Sequence, residues 1–194
     1  MLTVTPSARL TYRRVTAQDR DFLFEIDQDE EVMRYLTGGR KTTRKEVDEV
    51  FIPRIESFNN EEKGWGLWQV SLSTGNRQAI GWILVRPLGF FTGNPQPDNL
   101  ELGWRFRRQS WGKGYATEAA HAALKYGFEL AHLPKIVSST TPLNKRSVRV
   151  MEKIGMHHDC NNDFDHPKLA ADDSRLGHIL YHITREQYQE QLAS

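Results

Sequence analysis

At 194 residues the chain has the length of one ordinary domain, and with 38% hydrophobic residues it can bury a core without covalent staples. Its 26 Lys and Arg nearly balance 25 Asp and Glu, so a formal net charge of +1 offers no global field for nucleic acid or an anionic membrane. The single cysteine, Cys160, excludes an intrachain disulfide and a thiolate zinc site, and with no motif around it reads as an incidental thiol.

No apolar leader-like run lies between Met1 and Val15, and no later run approaches a membrane span, so a soluble, cytoplasmic protein is expected. Thr16-Ala17-Gln18-Asp19 predicts a helix N-cap with an acidic third residue, ahead of Phe22, Leu23 and Ile26 at helical spacing. Glu30 to Leu36 predicts another short helix, stopped by Gly38-Gly39. Thr43-Arg44-Lys45-Glu46 starts the next, with the apolar stripe Val47, Val50, Phe51, Ile55 and Phe58 and a kink or restart at Pro53.

The period then turns extended. Trp65 to Leu72 and Ile80 to Val85 predict strands joined by a turn at Thr74-Gly75-Asn76-Arg77, Pro87 to Asp98 a loop, and Leu100 to Phe106 the next strand. Thr117 to Ala131 predicts an Ala-rich helix, Lys135 to Thr140 a strand, and Asn144 to Ile154 a capped helix ended by Gly155. Met156 to Asp163 and Leu176 to Thr184 complete the strands, and a short helix starts at Arg185. Helices first, then a meander, then βαβ-like units predict an α/β (α+β) fold, a mixed sheet with helices on both faces.

The stretch Arg107-Arg108-Gln109-Ser110-Trp111-Gly112-Lys113-Gly114-Tyr115-Ala116-Thr117-Glu118-Ala119 joins a predicted strand to a predicted helix. Two glycines leave the backbone uncovered at the helix start, where free amides and the positive end of the helix dipole converge and suit a phosphate. Arg107, Arg108 and Lys113 add cations. The stretch is not a P-loop, and Thr117 stands where a dinucleotide fingerprint has its third glycine. Gln109, Gly112 and Gly114 satisfy Gln/Arg-x-x-Gly-x-Gly, which resembles the pyrophosphate-binding signature of the GNAT acetyltransferases. Alone, the same residues would read as a Gly-rich turn.

A second stretch, Asn144-Lys145-Arg146-Ser147-Val148-Arg149-Val150-Met151-Glu152-Lys153-Ile154-Gly155-Met156, resembles the Asn-x-x-Ser…Glu-Lys-Leu-Gly-Phe helix of the same superfamily. Arg9 to Arg13, Asp29 to Leu36, Asn99 to Trp104 and Tyr181 to Glu186 resemble its RimJ/RimL-like branch, related to the ribosomal-protein N-terminal acetyltransferases.

The resemblance implies one domain over residues 1–194 and a twisted, mostly antiparallel sheet of about seven strands. It implies a V-shaped cleft between the strand ending near Phe106 and the strand Lys135 to Thr140, and acetyl-coenzyme A as co-substrate with no metal. The pantetheine arm would bond to the backbone of Trp104 and Phe106. The pyrophosphate would lie over Gln109, Ser110, Trp111, Gly112, Lys113 and Gly114, with Tyr115, Ala116 and Thr117 opening the helix. Asn144 would reach the arm or else simply cap its own helix. The acceptor would be a primary amine, a peptide N-terminus or a small molecule; no nucleic acid or membrane partner is expected, and the oligomeric state, homodimer included, is left open.

An amine must be neutral to attack a thioester, yet α-amines titrate near roughly 8 and lysines near roughly 10. Glu101, on the strand leading into the motif, is the candidate general base, directly or through a water; the alternative is an ordinary polar strand residue. Many members carry a Tyr near the end of the Asn-motif helix to protonate the departing thiolate, and Met151 stands at that position. Ser147, one turn earlier, is the substitute. The missing Tyr also permits a non-catalytic acyl-coenzyme A sensor. His157, His158, Asp159, Asp163, Asp165 and His166 match no metal-ligand spacing and read as loop and strand residues, with Phe164 to Pro167 bordering an acceptor pocket. Trp65, Trp68, Trp82 and Trp104 read as packing residues and Trp111 as lining the cleft.

Overall fold

A computed structural model describes residues 2–193. Local capping builds the first helices. Thr16 accepts from the Gln18 amide and Asp19 returns to the Thr16 amide at 2.8 Å, so a 3-10 turn leads into α1 (Arg20–Ile26). Asp29 caps α2 (Glu30–Thr37), which Gly38 ends at φ +74°. Thr43 and Glu46 form another capping box at α3 (Arg44–Glu46), which widens into a π turn, Val47–Phe51, and resumes as α4 (Ile52–Phe58). Pro53 sits in the first turn of α4. Proline has no N–H to give to a carbonyl one turn back, and the chain absorbs the missing bond by lengthening the preceding turn instead of breaking.

The strands are β1 (Leu10–Arg14), β2 (Gly66–Leu72), β3 (Ala79–Leu88), β4 (Gln96–Phe106), β5 (Lys135–Thr140), β6 (His157–His158), β7 (Phe164–Asp165) and β8 (Gly177–Thr184). They form one sheet in the order β1-β2-β3-β4-β5-β8-β6, with β7 paired to β8, and every pair is antiparallel except β4 with β5. β1 carries no strong alternation of its own, and its pairing with β2 is what makes it a strand.

The expected loop Pro87 to Asp98 is shorter than predicted, because β3 runs on to Leu88 and β4 begins at Gln96, across a register shift at Pro87 and Leu88. Pro87 is tolerated there because β2 pairs with β3 only as far as Val85, which leaves β3 without a neighbour on that side. The expected strand Met156 to Asp163 is also corrected. Only His157 and His158 pair; a 3-10 turn, Cys160–Asn162, follows, and Phe164 and Asp165 form a separate short strand. Side chains displace the ladder here: Asn162 Nδ2 donates to Asp159 Oδ2 at 3.0 Å, and the Leu180 amide donates to Asp163 Oδ1 at 3.0 Å.

Alternation along the strands produces two cores. Leu67 packs with Val15, Leu23, Val47, Ile52, Ile55 and Phe58 on the face covered by α1 and α4. Trp68, Ile83, Leu100 and Phe106 face the other way, onto Ala119, Ala120 and Leu124 of α5 (Tyr115–Lys125) and Met151 of α6 (Lys145–Lys153). Helix α5 starts before the expected Thr117 and passes into a π turn, Tyr126–Leu130. Tyr188 of α7 (Arg185–Ala193) joins the same core.

Candidate active site

The site begins where two parallel strands part. β4 and β5 pair only at Asn99–Lys135, Leu100–Ile136 and Glu101–Val137, although β4 continues to Phe106 and β5 to Thr140. Beyond Glu101 and Val137 the sheet is split, as the expected V requires. The bond from the Arg107 amide to the Ile80 carbonyl, 2.8 Å, fixes the phase of the β3–β4 ladder, in which Gly103 and Arg105 turn their backbone groups to β3. Leu102, Trp104 and Phe106 therefore turn theirs into the gap. The Trp111 indole already donates to the Phe106 carbonyl at 2.9 Å, so the Phe106 amide is the group left open there. The Trp104 side chain packs against the α5-side core.

At the mouth of the V, Arg108–Ser110 form a 3-10 turn with Ser110 buried and Gln109 exposed. Gly112 and Gly114 adopt φ +73° and +80°, left-handed conformations that cost a non-glycine residue about 1 kcal/mol or more. Among the described residues, the amides of Gly112, Lys113, Gly114, Tyr115, Ala116 and Thr117 donate to no backbone carbonyl; the first amide of this segment to do so is that of Glu118, to Gly114. A Cβ on Gly112 would meet nothing within 4 Å. Unpaired amides around open space, at the positive end of α5, fit the phosphates of a nucleotide cofactor. Arg146 of α6 lies over the Trp111 ring, 4.5 Å from its centre, joining this loop to the far arm of the V.

Glu118 holds the loop from behind. Its carboxylate accepts from the Ser7 hydroxyl at 2.7 Å, the Arg9 amide at 2.8 Å and Arg9 Nε at 2.7 Å, while Arg9 also donates to the Lys113 carbonyl at 3.0 Å. Burial pulls this carboxyl upward, but the hydrogen bonds from Ser7 and Arg9 and the Arg9 charge outweigh it and leave it below its ordinary value. Nothing in the sequence period announced this tether.

On the other face of the sheet, Glu101 is paired with Arg86, whose Nε and Nη2 both donate to Oε2, at 2.9 and 2.7 Å. The register places Arg86 directly opposite Glu101, a partner that sequence reading missed because it depends on the β3–β4 alignment. Arg86 also lies over Phe58 and Phe91, so the carboxylate borders an aromatic cluster of Phe58, Phe90 and Phe91. Two residues further along β4, Arg105 reaches buried Asp27 at the end of α1, and Asp27 accepts from Thr42 Oγ1 at 2.7 Å. This pair ties an arm of the V to the N-terminal helices.

Asn144 is the N-cap of α6: its Oδ1 accepts from the Ser147 amide at 3.3 Å and its Nδ2 donates to Ser147 Oγ at 3.0 Å. Capping uses the Asn144 oxygen, while Ser147 Oγ, as an acceptor in that bond, keeps its own proton free to donate. Met151 is fully buried in the core. The His and Asp residues after Gly155 form pairs: His158 Nε2 lies 2.9 Å from Asp163 Oδ1, and its ring stacks on Tyr181. Among the described residues no group of three or more His, Cys, Asp and Glu side chains could hold a metal.

Known proteins share this architecture. Residues 9–157 match the acetyltransferase (GNAT) domain family. The chain is 30% identical over 187 residues, covering 94% of itself and 76% of the relative, to the FsC-acetyl coenzyme A-N(2)-transacetylase of Aspergillus fumigatus. It superposes on a GNAT-family acetyltransferase from Bacillus anthracis with a TM-score of 0.71 at 29% identity, covering 93% of this chain and 98% of that one. It shares its fold, at a TM-score of 0.70 and 17% identity, with the spermidine N-acetyltransferase of Vibrio cholerae solved with CoA and spermine, over 94% of this chain and 99% of that one. The match spans β1, both arms of the split sheet, the glycine loop and the Asn144 helix, and the chain belongs to the GNAT acetyltransferase family, as an acyltransferase enzyme.

Proposed function

We propose that the protein transfers the acetyl group of acetyl-coenzyme A to the primary amine of a small molecule, within one domain spanning residues 1–194. The observation that carries the donor assignment is the set of unpaired amides from Gly112 to Thr117 facing open space at the start of α5. The backbone of Trp104 and the Phe106 amide would take the pantetheine arm, as an added strand does. Gln109, Ser110 and Trp111 would shape the approach to Gly112, Lys113 and Gly114, and Tyr115, Ala116 and Thr117 would present their amides. The name of the Aspergillus relative, which includes acetyl coenzyme A, supports this donor.

At the fork, Glu101 Oε1 meets the acceptor amine and takes a proton from it, directly or through a water. The amine nitrogen attacks the thioester carbon, the C–S bond breaks, and Ser147, or solvent in its place, protonates the thiolate. Asn144 orients Ser147 as it caps α6.

The acceptor side favours a small molecule over a peptide. The segment after β7 brings Arg175 within 3.8 Å of the place a Gly38 Cβ would occupy, so it reaches across to the end of α2 and narrows that side of the sheet. The relatives' names, with FsC and spermidine as acceptors, agree. The RimJ/RimL-like resemblance points instead to a peptide α-amine. Mass spectrometry of reactions with polyamines, amino acids and peptides starting with Ser or Ala decides between them. Acetylation of a small amine alone is expected; acetylation of the peptides alone would overturn the small-molecule assignment.

A further inference from the structure

The register across the fork places a second proton acceptor beside Glu101, an inference that rests on the acetyl-transfer reading above. Glu101 pairs with Val137, and Val137 pairs with His182 of β8. Paired residues project to one face of a sheet. Their neighbours Leu100, Ile136 and Ile183 belong to the α5-side core, so the row Glu101, Val137, His182 points to the opposite face, the one bearing α1 and α4. Two strand spacings put the Glu101 and His182 backbones about 10 Å apart, with Val137 between them.

The two residues are held differently. Glu101 Oε2 is occupied by Arg86. His182 Nδ1 is buried, closes no hydrogen bond among the described residues, and lies 3.5 Å from Asp159 Oδ2. Asp159 is fixed by Asn162 through that same oxygen and by its own amide, which donates to the Leu180 carbonyl at 2.8 Å. An imidazole beside an oriented carboxylate, with a ring nitrogen still unpaired, is arranged to be stabilised when it gains a proton. The charged and titratable groups facing the ring are Asp159 after β6, His157 across the β6–β8 pair, Lys135 on β5 and Glu101 beyond Val137. Burial, Lys135 and His157 push the imidazole below its ordinary value against the upward pull of Asp159, so it is neutral at neutral pH.

Proton accounting calls for two acceptors. An ammonium substrate loses one proton to become a nucleophile and a second as the new C–N bond becomes an amide; the thiolate regains one. Glu101 takes one of the two. We propose that His182, oriented by Asp159, is the catalytic residue that takes the other.

The test measures kcat against pH for the wild type, His182→Gln and Asp159→Asn, using the amine identified by the acceptor screen, with coenzyme A affinity by calorimetry and the His182 ring titration by NMR. His182→Gln should lower kcat on the order of 100-fold and change the acidic limb, with coenzyme A affinity held within about twofold. Asp159→Asn should move both the limb and the ring midpoint to lower pH, because the group favouring imidazolium is gone. An unchanged kcat and acidic limb in His182→Gln, or an unmoved ring midpoint in Asp159→Asn, overturns the proposal. If His182→Gln fails to fold, Asp159→Asn and the wild-type ring titration still decide it. A wild type that binds coenzyme A but releases thiol with no amine overturns the acetyl-transfer reading itself, and the catalytic role of His182 with it.

Discussion

Gly112 and Gly114 carry the cofactor argument at the scale of single residues, and their backbone angles change how they should be tested. Both lie at positive φ, so Gly114→Val would strain the loop even without a ligand. Gly112→Ala is the cleaner variant: a Cβ there meets no protein atom and should cost only about 1 kcal/mol of stability. It should still weaken coenzyme A binding by about tenfold or more in calorimetry, roughly 1.4 kcal/mol, because the methyl enters the space the phosphates need. Glu101→Gln should lower kcat by about 100-fold with a smaller change in KM, checked by steady-state kinetics across pH; equal activity at every pH would make Glu101 an Arg86 partner and nothing more. Asn144→Ala should cost about 1 kcal/mol through the lost cap, read in the denaturation midpoint. The glycines and the cap were legible because each is a local pattern. Arg86 opposite Glu101, His182 beside Val137 and Glu118 beneath Arg9 were not, since each depends on which strands or segments become neighbours.

The elements that matter most are those joined across long stretches of chain. The capping boxes at Thr16 and Thr43 and the left-handed stops at Gly38 and Gly155 are written in adjacent residues, and those helices start and end close to where the sequence places them. Strand limits are not local: β1 exists through β2, and β3 outlasts its hydrophobic run because β4 pairs with it through Leu88. The Asp27–Arg105 pair locks α1 to an arm of the V, with Asp27 buried. Asp27→Ala should therefore cost about 3 kcal/mol or more in chemical denaturation by leaving Arg105 uncompensated. The tether from Glu118 to β1 predicts a pH effect whose sign follows from its lowered folded-state value. Its stabilisation is complete above the ordinary carboxyl value of 4.5 and is lost as acid protonates it, so Glu118→Gln should be less stable than wild type near neutrality and converge with it in acid.

For the molecule as a whole, one sheet with a core on each face predicts a single unfolding transition, raised by coenzyme A as mass action requires, by about 2.7 kcal/mol at a hundredfold excess over Kd. The split of β4 from β5 sets where that ligand lies and where an amine can approach, and the Arg86–Glu101 and His182–Asp159 pairs stand on the acceptor side of the fork. The central claim is acetyl transfer from coenzyme A to an amine at this fork. It is tested most directly by following thiol release from acetyl-coenzyme A with a panel of primary amines while mass spectrometry monitors the amines. The account predicts thiol release matched by acetylation of at least one small amine, and both lost in Gly112→Ala at limiting acetyl-coenzyme A. Tight coenzyme A binding with no thiol release across the panel would contradict it, and would make the protein an acyl-coenzyme A sensor built on an acetyltransferase fold.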